Sequence, residues 1–171
     1  MKKKKITAAA CSLLAAAVTA SSAPYTLPVI NAESEAAVTK YEFEDGTNEG
    51  GKLYTEGWAG NSAEDGTGVD YDLTNASGGI SYLDQKGTKV SVDVTVEEAG
   101  LYELNICYCQ PFDTNKKVQY LNVNGVNQGE TTFVFNTTFE ETSAGLVMLQ
   151  KGKNTIEFEA YWGYTFFDYL T

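Results

Sequence analysis

Apolar residues recur at every second position along most of this chain. Lys89-Val-Ser-Val-Asp-Val-Thr-Val96 sets Val90, Val92, Val94 and Val96 on one face, the alternation of a half-buried strand. Residues 101–109 repeat it, with Tyr102, Leu104, Ile106 and Tyr108 inward, and Glu97-Glu-Ala-Gly100 turns the first run back into the second. Residues 118–123 form a third strand, ended by Asn124-Gly125, a dipeptide that favours two-residue hairpins because both positions accept positive φ. Residues 131–135 and 146–149 read as shorter strands, and Lys151-Gly152-Lys153-Asn154 as a tight turn. The next strand carries Ile156, Phe158 and Ala160 on its inner face. At the front, Tyr41-Glu42-Phe43-Glu44-Asp45 alternates aromatic and acid, again a strand signature. Between 46 and 79 the chain is rich in Gly, Asn, Asp, Ser and Thr, which predicts loop with short strands. No segment holds an apolar period of 3.6. Short strands punctuated by turns predict an all-β sandwich or barrel.

The last eleven residues, Tyr161-Trp-Gly-Tyr-Thr-Phe-Phe-Asp-Tyr-Leu-Thr171, combine aromatics with one carboxylate, Asp168, and one glycine, Gly163. Strand alternation predicts Phe167 and Tyr169 on one face and Phe166 and Leu170 on the other. Trp162 and Tyr164 flank Gly163 before that strand begins.

The first 32 residues change the accounting. Met1 to Lys5 is a basic cap followed by an Ala/Leu-rich run, the layout of a secretory signal peptide; cleavage is expected after Ala32. Residues 33–40 form a flexible lead-in and 41–171 the folded module. Loss of the leader leaves eight of the twelve lysines against all 23 acids, a formal charge of −15. The chain has neither Arg nor His. Such a surface repels phosphate backbones, so neither nucleic acid nor an anionic membrane is an expected partner. Without His, triads of the Ser-His-Asp or Cys-His kind are excluded, and a bound metal must rely on carboxylate and carbonyl oxygen, which suits calcium. Cys107 and Cys109 sit two apart on one strand; they point the same way and make no ordinary disulfide, so packed thiols are expected.

Two constellations could carry chemistry. Glu42 and Glu44, two apart on the predicted first strand, would repel one another unless a cation joins them. If first and last strands are neighbours, Asp168 comes near both. The competing reading is a solvated edge strand. Trp58, in a Gly/Asn/Ser-rich loop, together with Trp162 and Tyr164, offers flat apolar faces for the C–H face of a pyranose ring. Gln110, Asp113, Asn115 and Lys117 form a polar group in one loop that could bond hydroxyls. Equally, Trp58 and Trp162 could cap the ends of the core. Acids are too plentiful for spacing alone to identify the facing pair that a glycosidase needs.

With these residues laid out, the chain resembles the family 35 carbohydrate-binding modules across residues 41–171. The carriers are Tyr41-Glu-Phe-Glu-Asp45, Ala76-Ser-Gly-Gly79 leading to Tyr82-Leu83, Ala99-Gly-Leu-Tyr102 with Ile106, Leu121-Asn-Val-Asn-Gly125, Val147-Met-Leu-Gln-Lys-Gly-Lys-Asn-Thr-Ile156 and Trp162-Gly-Tyr-Thr-Phe-Phe-Asp-Tyr-Leu170. The resemblance implies a β-sandwich of jelly-roll type that binds polysaccharide without cleaving it. It also implies a structural calcium at the positions of Glu42, Glu44 and Asp168, with backbone carbonyls near Ser77. The closing motif and the Tyr-Cys-Gln-Pro-Phe-Asp-Thr-Asn loop look most like the mannan-binding branch found beside mannanases. On this reading Trp162 is the stacking platform, Tyr164 and Trp58 are the second candidates for that role, and Gln110, Asp113 and Lys117 bond hydroxyls. The expectation is a secreted, monomeric module tethered to a glycoside hydrolase. The alternatives are a binder of uronic-acid glycans such as pectin or glucuronoxylan in the same fold, and a small secreted glycan-active enzyme.

Overall fold

The computed structural model describes residues 38–54 and 71–171; the leader, the start of the lead-in, Trp58 and the rest of 55–70 lie outside them. Two antiparallel sheets form a β-sandwich. β1 (Tyr41–Glu42), β2 (Thr47–Glu49), β3 (Lys52–Tyr54) and β4 (Ile80–Leu83) are short, and the long strands are β5 (Lys89–Val96), β6 (Gly100–Cys109), β7 (Lys117–Val123), β8 (Val126–Phe133), β9 (Glu140–Leu149), β10 (Gly152–Trp162) and β11 (Thr165–Leu170). The first sheet has the order β3-β4-β11-β6-β9, with β1 also on β11, and the second β2-β5-β10-β7-β8.

The valines of β5 behave as the alternation predicts: Val90, Val92 and Val94 are buried, and they face Leu104, Ile106 and Tyr108 of β6 in one core between the sheets. The connection after β5, however, is a corner and not a hairpin. β5 pairs with β2 and β10 while β6 pairs with β9 and β11, so residues 97–99 carry the chain from one sheet to the other. At the other end, Asn124 and Gly125 adopt φ 52° and 75° and join Val123 to Val126 directly, the two-residue turn the dipeptide favours. β8 and β9 begin earlier than the apolar runs suggested, because their outer-edge positions are polar.

A second apolar cluster covers the far side of the first sheet. Cys107, Cys109, Ile80 and Phe166 point outward from it and are sealed by Tyr71, Leu73 and Phe139. The covering segments are tied together: the Asp72 amide donates to Thr137 O at 2.8 Å, and Asn75 exchanges two hydrogen bonds with the Phe139 backbone. Cys107 and Cys109 are free and buried. Burial pushes the Cys107 thiol up to about 12, so these are packed thiols.

Two departures from simple alternation shape the rest. The first strand ends at Glu42, and Phe43–Asp45 turns as a 3-10 helix, so Glu42 and Glu44 are not neighbours on one strand face. In β11, Phe167 pairs with Tyr108 but Leu170 pairs with Ile106, one residue too many. That bulge reverses the expected faces beyond it: Leu170 joins Phe167 in the inter-sheet core, and Tyr169 joins Phe166 on the outer side.

Candidate functional site

Asp168 sits inside the β11 bulge and is 1% exposed. β1 pairs with β11 through Tyr41–Leu170 and Glu42–Tyr169, so the first strand does lie beside the last. The Ser77 loop closes the group. The Ser77 amide donates to Asp168 Oδ2 at 2.9 Å, and Ser77 Oγ lies 2.9 Å from Asp168 Oδ1 and 3.0 Å from Glu42 Oε2. A hydroxyl has one proton, so it serves only one of the two carboxylates. Glu44 accepts from the Gly79 amide through Oε1, while its Oε2 is buried with no partner. A Cβ on Gly78 would stand 2.1 Å from Glu44 Oε1; only glycine there lets the carboxylate lie against the backbone. Burial raises the Glu44 carboxyl above its usual range, and Glu42 and Asp168 raise it further. Asp168 is raised by burial first and by Glu42 as well, against the pull of the Ser77 bonds.

Among the described residues no three acid, Cys or His side chains form a ready-made metal cage, because Ser77 stands between Glu42 and Asp168 and Glu44 turns to Gly79. The donor set nevertheless has the chemistry a hard cation requires: three carboxylates, with Glu42 helping to raise both Glu44 and Asp168, one orphaned oxygen, and too few protons to go round.

At the other end of β11 the aromatic positions gather. β10 carries its own bulge, where Ala160 pairs with Gln119 and Trp162 with Val118, leaving Tyr161 as the extra residue. Gln119, fully buried between Val118 and Tyr120 of β7, holds this irregularity together. Its Oε1 accepts the Tyr161 amide at 2.9 Å, and its Nε2 donates to Thr165 Oγ1 at 2.9 Å and Gly163 O at 3.3 Å. Gly163 then turns with φ 87°, and Trp162 and Tyr164 emerge 51% and 45% exposed. Tyr164 rests on the second cluster, edge-to-face with Phe112 at 5.4 Å. Trp162 rests on Lys117, whose Nζ lies 4.4 Å from the ring centroid.

Lys117 is buried, and its ammonium is 3.0 Å from Asp113 Oδ2. The Asn115 amide, and then Lys117, hold the Asp113 carboxyl below its usual range. Trp162, Tyr164, Gly163 and Lys117 line one cleft of about 430 Å³ together with Asp84, Lys86, Ala160 and Tyr161. Asp84 bonds Lys52 through Oδ2 at 2.7 Å and keeps a buried, unpartnered Oδ1.

The structure thus brings Trp162, Tyr164 and Lys117 together, with Asp113 behind Lys117. Gln110 departs from expectation. It is fully buried, its amide donates to Asp113 O and Asn115 O and accepts from the Phe112 amide, and so it shapes the loop instead of bonding a ligand. Asp84, Lys86 and Gln119 escaped the sequence reading. Gln119 had a signal, a polar residue at an inward position of an apolar strand; Asp84 and Lys86 sit in an ordinary Asp-Gln-Lys-Gly turn. Exposed aromatic faces beside an acceptor and an ammonium suit stacking and hydroxyl bonding.

A family model described as carbohydrate binding module (family 35) matches residues 55–171. A mannan endo-1,4-beta-mannosidase B from Piromyces sp is 39% identical over 120 residues, which cover 68% of this chain and 20% of that protein. The chain therefore spans about a fifth of that relative's length. Among solved structures, a family 35 carbohydrate binding module from Clostridium thermocellum superposes with a TM-score of 0.58 at 25% identity, over 79% of this chain and 96% of that one. A ruminal GH26 endo-beta-1,4-mannanase superposes with a TM-score of 0.59 at 29% identity, over 78% of this chain and 25% of its own. The family match begins after β1, so Glu42 and Glu44 lie outside it.

Proposed function

Because the chain belongs to the family 35 carbohydrate-binding modules, which bind without catalysis, we propose that its cleft takes β-1,4-linked mannan and carries an attached or partner glycoside hydrolase to that substrate. One observation carries this reading: Trp162 and Tyr164 stand half-exposed at the cleft, held there by Gln119, Gly163 and Lys117 when apolar rings would otherwise be buried. The mannosidase named above supports the choice of polymer. Sugar rings stack on the Trp162 face, Tyr164 walls the second side, and the Lys86 ammonium bonds hydroxyls. Lys117 is spent on Asp113 and Trp162, so it positions the platform.

Calcium belongs to the same proposal. Glu42, Glu44 and Asp168 would hold it, with the backbone around Ser77. When bound it supplies positive charge that the three carboxylates lack and the Ser77 proton cannot replace. Export through the leader places the module where plant polysaccharide is met.

Isothermal titration of the calcium-loaded chain against galactomannan, linear mannan and glucuronic acid tests the reading. Saturable binding to the two mannans and none to glucuronic acid is expected. Binding confined to glucuronic acid would assign the cleft to uronic glycans, and release of reducing sugar from mannan would contradict a purely binding role.

A further inference from the structure

The bulge in β10 does more than present Trp162. It sets both Tyr161 and Trp162 opposite the single residue Val118, and Tyr161 follows Glu157 and Glu159 outward while Phe158 and Ala160 enter the core. On the neighbouring strand Tyr120 also points outward, between the inward Gln119 and Leu121, and its register partners are Glu159 on one side and Glu130 on the other. The two tyrosines are diagonal neighbours across the ladder, and their rings meet with centroids 4.5 Å apart at 32°. Neither ring belongs to the inter-sheet core or to the outer cluster, and both are half-buried. Lys86 lies 5.2 Å above the Tyr161 ring, and Tyr161 and Lys86 both line the Trp162 cleft.

We propose that the Tyr120–Tyr161 pair is a second sugar-stacking station, continuous with the cleft, that takes further units of the same neutral chain along the outer face of the β5-β10-β7 sheet. The proposal rests on the cleft being a glycan site. The two rings lie against one another at a tilt, so the pair offers an outward ring face, which suits the C–H face of a pyranose. Glu159 and Glu130 flank Tyr120 as hydroxyl acceptors, Glu159 while paired with Lys89 at 3.5 Å. Because Tyr161 touches both places, one polysaccharide strand can leave Trp162 and run onto the sheet. The structure thereby assigns the site a preference for long internal stretches of chain over short ends.

The test is an NMR titration with mannotriose and mannohexaose, following the Trp162 indole N–H and the Tyr120 ring protons in wild type, Tyr120→Thr and Tyr120→Phe. In wild type both sugars move the Trp162 signal, and only the hexaose moves Tyr120. Tyr120→Thr, which retains a β-branched residue in the strand, should bind mannohexaose about five- to tenfold more weakly, the worth of one stacked ring, and mannotriose unchanged. Tyr120→Phe should retain the wild-type affinity for both. A wild-type Tyr120 ring indifferent to mannohexaose overturns the proposal even if the Thr variant does not fold. Equal weakening of both sugars in Tyr120→Thr overturns it too. If neither sugar moves the Trp162 signal, the glycan reading of the cleft has failed first, and the station falls with it.

Discussion

The two ends of β11 solve opposite problems with the same kind of irregularity. Before the strand, the β10 bulge and Gly163 lift aromatic rings toward solvent, and two ion pairs lie by the cleft: Lys117 with Asp113 and Lys52 with Asp84. Within the strand, the β11 bulge turns Asp168 toward Glu42, Glu44 and Ser77, where three carboxylates face a single hydroxyl proton, two amides, the Cys107 thiol and the surface ammonium of Lys40. The Asp113 carboxyl is accordingly held low and those of Glu44 and Asp168 high. One end has apolar faces left over. The other has charge left over. A bulge frees one residue from the ladder and re-aims its neighbours, and the partners supplied nearby decide whether the freed group becomes a platform or a ligand.

Removing the cation should separate the two ends most sharply. An ion present at a thousandfold excess over its Kd adds about 4 kcal/mol to stability, roughly 10–20 °C in Tm for a domain of this size. Scanning calorimetry of the calcium-loaded protein with and without chelator should show a fall of that order, and Glu44→Ala should melt at the same temperature in both. A chelator-insensitive wild type refutes the metal. The reciprocal break is Trp162→Ala. It should weaken mannan binding by about thirtyfold, near 2 kcal/mol for an aromatic anchor, and leave the chelator-dependent step in Tm intact. A loss of that step would mean the two ends are coupled.

How much of this was legible depends on which residues keep the period of two. Val90, Val92 and Val94, the Asn124-Gly125 turn and the inner face of β10 obey it, and they predict strands, turn and core directly. The proximity of Asp168 to Glu42 followed from placing the first strand beside the last. What alternation could not supply is any position where the ladder slips. The faces of Tyr169 and Leu170 came out exchanged because one residue at the β11 bulge reverses parity, and Glu44 was placed on a strand that in fact ends at Glu42. The corner after β5 was read as a hairpin, since a turn sequence does not say which sheet the next strand joins. Gln110 looked like a ligand because a loop glutamine reads the same whether its amide faces a sugar or its own backbone. The outer cluster around Cys107 and Phe166 depends on loops folding over a sheet face, a contact remote in sequence.

Gly163→Ala tests whether the platform is held or merely exposed. Alanine at φ 87° is strained by about 1–3 kcal/mol, and its Cβ would fall 2.1 Å from Lys117 Cδ, so the lysine stem must leave its place under Trp162. Tm should drop by several degrees, and mannan affinity should fall although no ligand-facing atom is removed. A variant that loses stability but binds normally would detach Trp162 from its support. The metal end should be untouched.

The smallest effect is also the one that reads both ends at once. A carboxyl raised in the folded state holds its proton there more tightly than in the unfolded chain, so its contribution to stability is present at low pH and is lost as pH rises through the raised value. Glu44 and Asp168 are of this kind in the metal-free protein. Asp113 is lowered, so its contribution is present at neutral pH and is lost as pH falls through the lowered value. Carboxyl NMR titration in chelator should therefore find Asp113 below the ordinary aspartate range, and Asp168 and Glu44 above theirs. Calcium should pull the latter two down and leave Asp113 where it was, because a cation favours the charged form only of the groups it touches. Equal movement of all three would mean that calcium acts through the net charge of the module, and the separation between the two ends of β11 would be lost.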